Sequence, residues 1–256
     1  MGICISVASS EIHQAEDCQE NIDSNGILRF GSLYSKQGSK GLNQDAAIFY
    51  QDYGMESGAF CGVFDGHGKN GHIVSNMVRN RLPTLLLNQK NVLANTKTTA
   101  DDKNSQWKEA CISAFKVMDK EIKLQENLDC STSGSTGVVV VRQGEDLVIA
   151  NLGDSRAILG TATENGIKAV QLTTDLKPGL PSEAERIRSC NGRIWDVLNN
   201  NQVASIVMEA ESEQAAARAV VEAATASWKR KFPSSKVDDC TVVCLFLQNQ
   251  KEQHHI

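Results

Sequence analysis

Four short apolar runs limit most strongly what this chain can become. GAFCGVF (Gly58–Phe64), TGVVVV (Thr136–Val141), LVIAN (Leu147–Asn151) and CTVVCLFL (Cys240–Leu247) are separate, short and bounded by Gly or polar turn formers. Runs of that kind read as buried strands. The QGED between the second and third runs marks a hairpin. Ile27–Tyr34, Arg156–Gly160 and Gly166–Leu172 add further strand candidates. Between the strands the apolar spacing changes to that of a helix. Ile73, Val74, Met77, Val78, Leu82, Leu85 and Leu86 share one face, with Pro83 expected to kink or break it. Trp107, Ala110, Cys111, Ala114, Phe115, Met118 and Ile122 mark a second helix, after a polar loop over Asn88–Ser105. Ser182–Ser189 and Gln202–Glu209 read as short helices. Ser212 is expected to cap a longer one that runs to about Lys231, with Ala216, Ala219, Val220, Ala223 and Trp228 on its apolar face. Hairpin-linked strands with long helices between them predict an α+β fold, a layered α-β-β-α sandwich of antiparallel sheets flanked by helices.

The totals narrow the function classes. A net charge of -5 over 256 residues gives no electrostatic reason to expect nucleic acid. No apolar run reaches the roughly 20 residues of a membrane span. The start lacks a basic, apolar secretory signal. The eight cysteines form no C-x-x-C pair, so reduced thiols are expected, in cytoplasm or nucleus. The opening MGICIS matches the Met-Gly-x-x-x-Ser acceptor pattern, with Gly2 for an N-acyl chain and Cys4 for a second one. Two chains would hold the protein peripherally on a membrane such as the plasma membrane. Residues 1–26 are otherwise polar and expected to be disordered, a single domain is expected over 27–248, and 249–256 is a polar tail.

Three acids share one context. Asp65 ends a strand in VFDGHG, Asp154 lies in the turn NLGDSR, and Asp238 with Asp239 precedes the last strand. Side-by-side strands can bring such ends together. Clustered carboxylates raise one another's pKa and call for a cation, and Mg²⁺ or Mn²⁺ is the hard ion that carboxylate, carbonyl and water oxygens suit. Gly66 lets its backbone come close to such an ion. Each acid alone also reads as a turn former.

FDGHGKNGH, GSTG at Gly134–Gly137, ANLGDSRAIL, LTTDLKP and VDDCTVVCLFL occur in one order. That order resembles the metal-dependent serine/threonine protein phosphatases of the 2C type, and KGLNQDA with SEAERIRSCNGR resembles their plant branch. The resemblance implies hydrolysis of phosphoserine and phosphothreonine in protein substrates by a monomer. It implies two metal ions that share a carboxylate and activate a water. Carried over, Asp65 would bridge the ions, the Gly66 carbonyl and Asp238 would be ligands, Asp45 would stand beside the first site, and Asp154 would serve a weaker third metal. His67 would protonate the leaving oxygen. Lys40 would stand where many relatives carry a phosphate-binding Arg, without that residue's bidentate fork.

One stretch breaks the pattern. In CNGRIWDVLNN, Arg193 and Ile194 lead straight to Trp195. In relatives several dozen residues intervene, with a strand that ends in ASDG and supplies a metal-binding Asp. Gly192 and Arg193 stand where that acid would be, and Asp196 matches a later acid, expected here to cap a helix. The junction at about 193–195 reads as an internal deletion. The expected results are weaker metal binding, a missing central strand, unpaired neighbours and an incomplete sandwich. Two functions follow: an impaired phosphatase, or a pseudophosphatase that binds phosphoproteins without turnover. A product too unstable for either is the third reading.

Overall fold

The computed structural model describes residues 2–7, 18–20, 31–96, 103–176 and 194–247, the first two segments as backbone course. Among the described residues there are eleven strands and five helices. In chain order they are β1 (Gly2–Val7), β2 (Cys18–Glu20), β3 (Gly31–Lys36), β4 (Asp45–Gln51), β5 (Ala59–His67), α1 (Gly71–Thr96), α2 (Lys103–Lys123), β6 (Gly134–Ser135), β7 (Gly137–Gln143) and β8 (Asp146–Leu152). Then follow β9 (Arg156–Thr163), β10 (Gly166–Gln171), α3 (Ile194–Val197), α4 (Asn200–Met208), α5 (Ala216–Lys231) and β11 (Cys240–Phe246).

The strands make two sheets. One has the order β10-β9-β1-β11-β3, and the other β2-β4-β5-β7-β8, with β6 paired to β5. Every pairing is antiparallel except the parallel contact of β2 with β4. Period-two alternation assigns each strand's side chains to two layers. In β5, Phe60 and Phe64 pack under α1 and α2, whereas Ala59, Cys61 and Val63 face the other sheet. In β7, Val139 and Val141 take the helix side, and Val138 and Val140 the inter-sheet side. In β11, Val242 and Cys244 lie under α3, α4 and α5, while Val243 and Leu245 meet the second sheet. Three apolar layers between four structural layers give the expected α-β-β-α sandwich.

The structure corrects several expectations. Residues 1–26 are not wholly irregular, because β1 and β2 lie within them. Gly2 and Cys4, the expected acyl acceptors, pair by register with Phe246 and Cys244 of β11, which leaves their acylation an expectation. The strands that flank the expected gap are paired: β1 joins both β9 and β11. Pro83 does not break α1. An internal Pro costs about 3 kcal/mol, but burial of Leu82, Leu85 and Leu86 contributes about 1.5–3 kcal/mol each. The loop expected over Asn88–Ser105 is shorter than that, since α1 runs to Thr96 and α2 starts at Lys103.

Ser212 does not cap α5. That helix follows Ala215, which makes no side-chain cap, and Ser212 Oγ only accepts from the Ala215 N–H at 3.2 Å. Asp196 is not the N-cap of α4. It lies inside α3, and Asn199 caps α4 through a capping box with Gln202. The helix expected at Ser182–Ser189, and the junction residues Gly192 and Arg193, lie outside the described residues.

The segment after the junction docks firmly on the segment before it. Arg156 of β9 makes a bidentate ion pair with Asp175, its Nε 3.0 Å from Oδ1. Its guanidinium lies 4.5 Å from the Trp195 ring centroid, and Nη1 donates to Asn200 Oδ1 at 2.8 Å. Ile194, the first described residue after the junction, is 1% exposed, within the core under α3, α4 and α5.

Candidate active site

The acids gather at one end of the two sheets because of strand register. Asp45 opens β4, and antiparallel pairing sets it directly opposite Asp65 near the end of β5. The turn before β11 brings Asp238 and Asp239 to the same end. Asp239 holds the loop ahead of β4: its Oδ1 accepts from Gly38 N–H at 3.1 Å, and its Oδ2 from Gln44 N–H at 2.8 Å.

Asp45 is buried. Its Oδ2 accepts from the Thr241 hydroxyl at 2.8 Å, and Thr241 in turn shares a hydrogen bond of 2.7 Å with Ser35 Oγ. Its Oδ1 is buried with no hydrogen-bond partner. Burial first, then the carboxylates of Asp65, Asp239 and Asp238, push the Asp45 pKa well above the ordinary range, against the Thr241 hydrogen bond. Asp239 is pushed up to about 7, chiefly by burial and then by Asp238, against the Gln44 hydrogen bond and the Lys40 charge.

Glycines make room around Asp65. A Cβ on Gly66 would lie 2.3 Å from the Gly71 carbonyl oxygen and 2.6 Å from that of Gln44, so only glycine fits. Gly66 N–H donates to that Gln44 carbonyl at 3.0 Å. Asp65 N–H donates to Thr136 Oγ1 at 3.0 Å, and its carbonyl accepts from Thr136 N–H at 2.8 Å. Thr136 Oγ1 also shares a 2.8 Å hydrogen bond with Ser155 Oγ, next to Asp154. Asp154 is thereby tied, through Ser155 and Thr136, to the strand that carries Asp65. His67 lies across from Gly134, where a Cβ would fall 2.8 Å from its Nε2. The packed side of the imidazole is desolvated, which lowers the pKa.

A hard divalent ion fits part of this arrangement. The donor set is carboxylate and carbonyl oxygen, and a buried carboxylate oxygen without a partner among like charges is the kind of atom that a cation satisfies. The fit is incomplete. Among the described residues no group of three His, Cys, Asp or Glu is disposed to hold a metal ion. Asp238, expected as a ligand, is ion-paired with Lys40, expected as a phosphate binder. Each of those two side chains neutralises the other.

The sequence reading underweighted Asp239, which lies inside the cluster and fixes the loop. It did not single out Thr136, Ser155 or Gln44 either. The DD pair signalled one inward acid, but an extended chain points successive residues to opposite sides, and only the pairing of β11 decides which acid turns inward.

Comparison with known proteins agrees with this architecture. The family described as Protein phosphatase 2C matches residues 32–194. The chain is similar to a probable protein phosphatase 2C 72 of Arabidopsis thaliana, 43% identical over 331 residues that span 98% of this chain and 99% of that one. It is also similar to a probable protein phosphatase 2C 12 of Oryza sativa subsp. japonica, 36% identical over 97% of this chain and 92% of the other. Among solved structures, a serine-threonine phosphatase 2C from Toxoplasma gondii shares the fold, with a TM-score of 0.71 and 21% identity over 85% of this chain and 94% of that one. Since 98% of 256 residues is about 251, about 80 of the 331 positions aligned with the Arabidopsis protein hold no residue of this chain. The alignment spans nearly all of that relative, so the missing positions are internal, and the family match ends at residue 194, beside the junction.

Proposed function

The chain belongs to the protein phosphatase 2C family, and from that premise we propose that it hydrolyses phosphoserine and phosphothreonine in protein substrates, with a weakened requirement-bearing metal site. By family it is a protein phosphatase. The observation that supports turnover is the pairing of Asp45 with Asp65 beside Gly66, where backbone and carboxylate oxygens converge and no side chain fits at position 66.

Asp65, the Gly66 carbonyl and Asp45 would hold Mg²⁺ or Mn²⁺, with Asp238 joining once Lys40 is displaced, and Asp154 at the margin. When bound, the ion supplies an acidified water and neutralises charge that develops on the phosphoryl group. The protein's own residues do the rest. The β4–β5 pairing keeps Asp45 and Asp65 rigid, so little reorganisation is needed. His67 holds a proton on its imidazole and gives it to the departing Ser or Thr oxygen. Because desolvation of its packed side lowers the His67 pKa, the protonated donor is favoured on the acid side of neutrality. Lys40, released from Asp238, offers one positive charge to a phosphoryl oxygen.

A second reading has its own observation. The Lys40–Asp238 pair satisfies charge that a metal would otherwise satisfy, which supports a chain that binds phosphoproteins without turnover. Release of phosphate from a phosphothreonine peptide with Mn²⁺ or Mg²⁺ separates the two readings, with Asp65→Ala as control. Metal-dependent release lost in Asp65→Ala is the result expected. No release above that variant, from folded protein at saturating Mn²⁺, overturns turnover and leaves the binding function.

A further inference from the structure

A sheet that has lost a central strand leaves two strands about 9.5 Å apart, twice the ordinary spacing. Their facing N–H and C=O groups then have no ladder partner. The inferred deletion falls between β10 and β11 in the chain, and a strand lost there would open such a gap beside β11, yet the sheet is continuous. β1 lies between β9 and β11, with six residues in register with β11 and five with β9.

The flanking strands need such a partner. Residues 240–245 of β11 are all buried, as are Ala157 and Ile158 of β9. Their backbone groups are therefore remote from water, which is where unpaired polar groups are least tolerated. The sequence GICISV also suits the place. Its β-branched positions 3, 5 and 7 alternate with the small Gly2, Cys4 and Ser6. Register sets position 5 between Val243 and Ala157, and position 3 beside Leu245 and Leu159, residues of the layer between the sheets. Positions 4 and 2 fall in the alternate set, with position 4 between Cys244 and Ile158 of the layer under the helices. A slip of one residue would exchange the two sets.

We propose that the space between β9 and β11 is a strand-acceptor site, and that residues 2–7 are its built-in ligand, a substitute for the strand that the chain lacks. The ligand class is an extended peptide that pairs antiparallel on both edges, with β-branched residues at every second position. The N-terminal segment thus belongs to the folded core and completes the sandwich that the deletion opened.

Hydrogen–deuterium exchange on the 256-residue chain tests this directly. In the wild type, amides of residues 2–7 are expected to be protected to a similar degree as those of 156–163 and 240–246. Free-chain exchange of residues 2–7 beside protected β9 and β11 overturns the proposal. Ile5→Pro removes a ladder donor and forces the strand out, so exchange in 156–163 and 240–246 is expected to rise at least tenfold. Added GICISV peptide is expected to restore protection, whereas a peptide of the same composition in scrambled order does not. Unchanged protection in Ile5→Pro, or equal rescue by the scrambled peptide, also overturns it.

Discussion

Asp239→Asn in metal-free protein is the most informative single change. In the folded chain the Asp239 carboxyl is pushed from 3.8 up to about 7, so between those values the folded state holds a proton that the unfolded state has released. Stability then falls as pH rises, by at most about 1.4 kcal/mol per pH unit, or about 2 kcal/mol from pH 5 to 7, because the folded group is itself half ionised at the upper end. Asp45, raised in the same direction, adds to the fall. Asparagine cannot ionise, so the variant loses the Asp239 share of that slope, and with one fewer negative neighbour Asp45 ionises more easily. The variant has a pH-independent loss as well, since one amide oxygen replaces two acceptors that serve the Gly38 and Gln44 N–H groups. That loss is about 1–2 kcal/mol. The wild type is therefore expected to be the more stable at pH 5, and the two to converge or cross by pH 7.5. Urea unfolding in EDTA at pH 5, 6, 7 and 7.5, with free energies extrapolated to water, measures the difference. Titrations elsewhere cancel between the two proteins. Parallel pH curves for wild type and variant would refute the argument that the cluster holds an unfavourable negative charge. Millimolar Mn²⁺ at pH 7.5 is expected to remove much of the wild-type penalty.

Two further outcomes follow from packing. Gly66→Ala sets a methyl group 2.3 Å from the Gly71 carbonyl oxygen, and a loss of about 3 kcal/mol is expected in urea unfolding at pH 5; a change below about 0.5 kcal/mol, the size of an ordinary surface substitution, would show that the turn yields. Arg156→Lys keeps the charge but gives up the fork on Asp175 and the stack on Trp195, so a loss of about 2 kcal/mol is expected in the same assay, and an unchanged midpoint would mean that the segment after the junction docks without it.

What the sequence decided by itself is local or repeated. The runs at Gly58–Phe64, Thr136–Val141 and Cys240–Leu247 are strands because short, β-branched, apolar segments between turn formers have few other ways to bury themselves. The faces of α1, α2 and α5 followed from helical spacing, apart from Ile73, which is 40% exposed, and the placement of Asp65, Gly66 and His67 at one strand end was legible because they are neighbours in the chain. Tertiary structure decided the rest. Whether Pro83 ended a helix depended on how much leucine surface lay on either side of it. Whether Asp238 or Asp239 turned inward depended on the pairing of β11, and Lys40 took Asp238 as its partner across almost the whole chain. Residues 2–7, polar context and all, became a central strand because β9 and β11 presented two unpaired edges to them. Periodicity reports which face of a segment is apolar. It does not report which distant segment has a backbone left to pair, and that is settled only when the sheet closes.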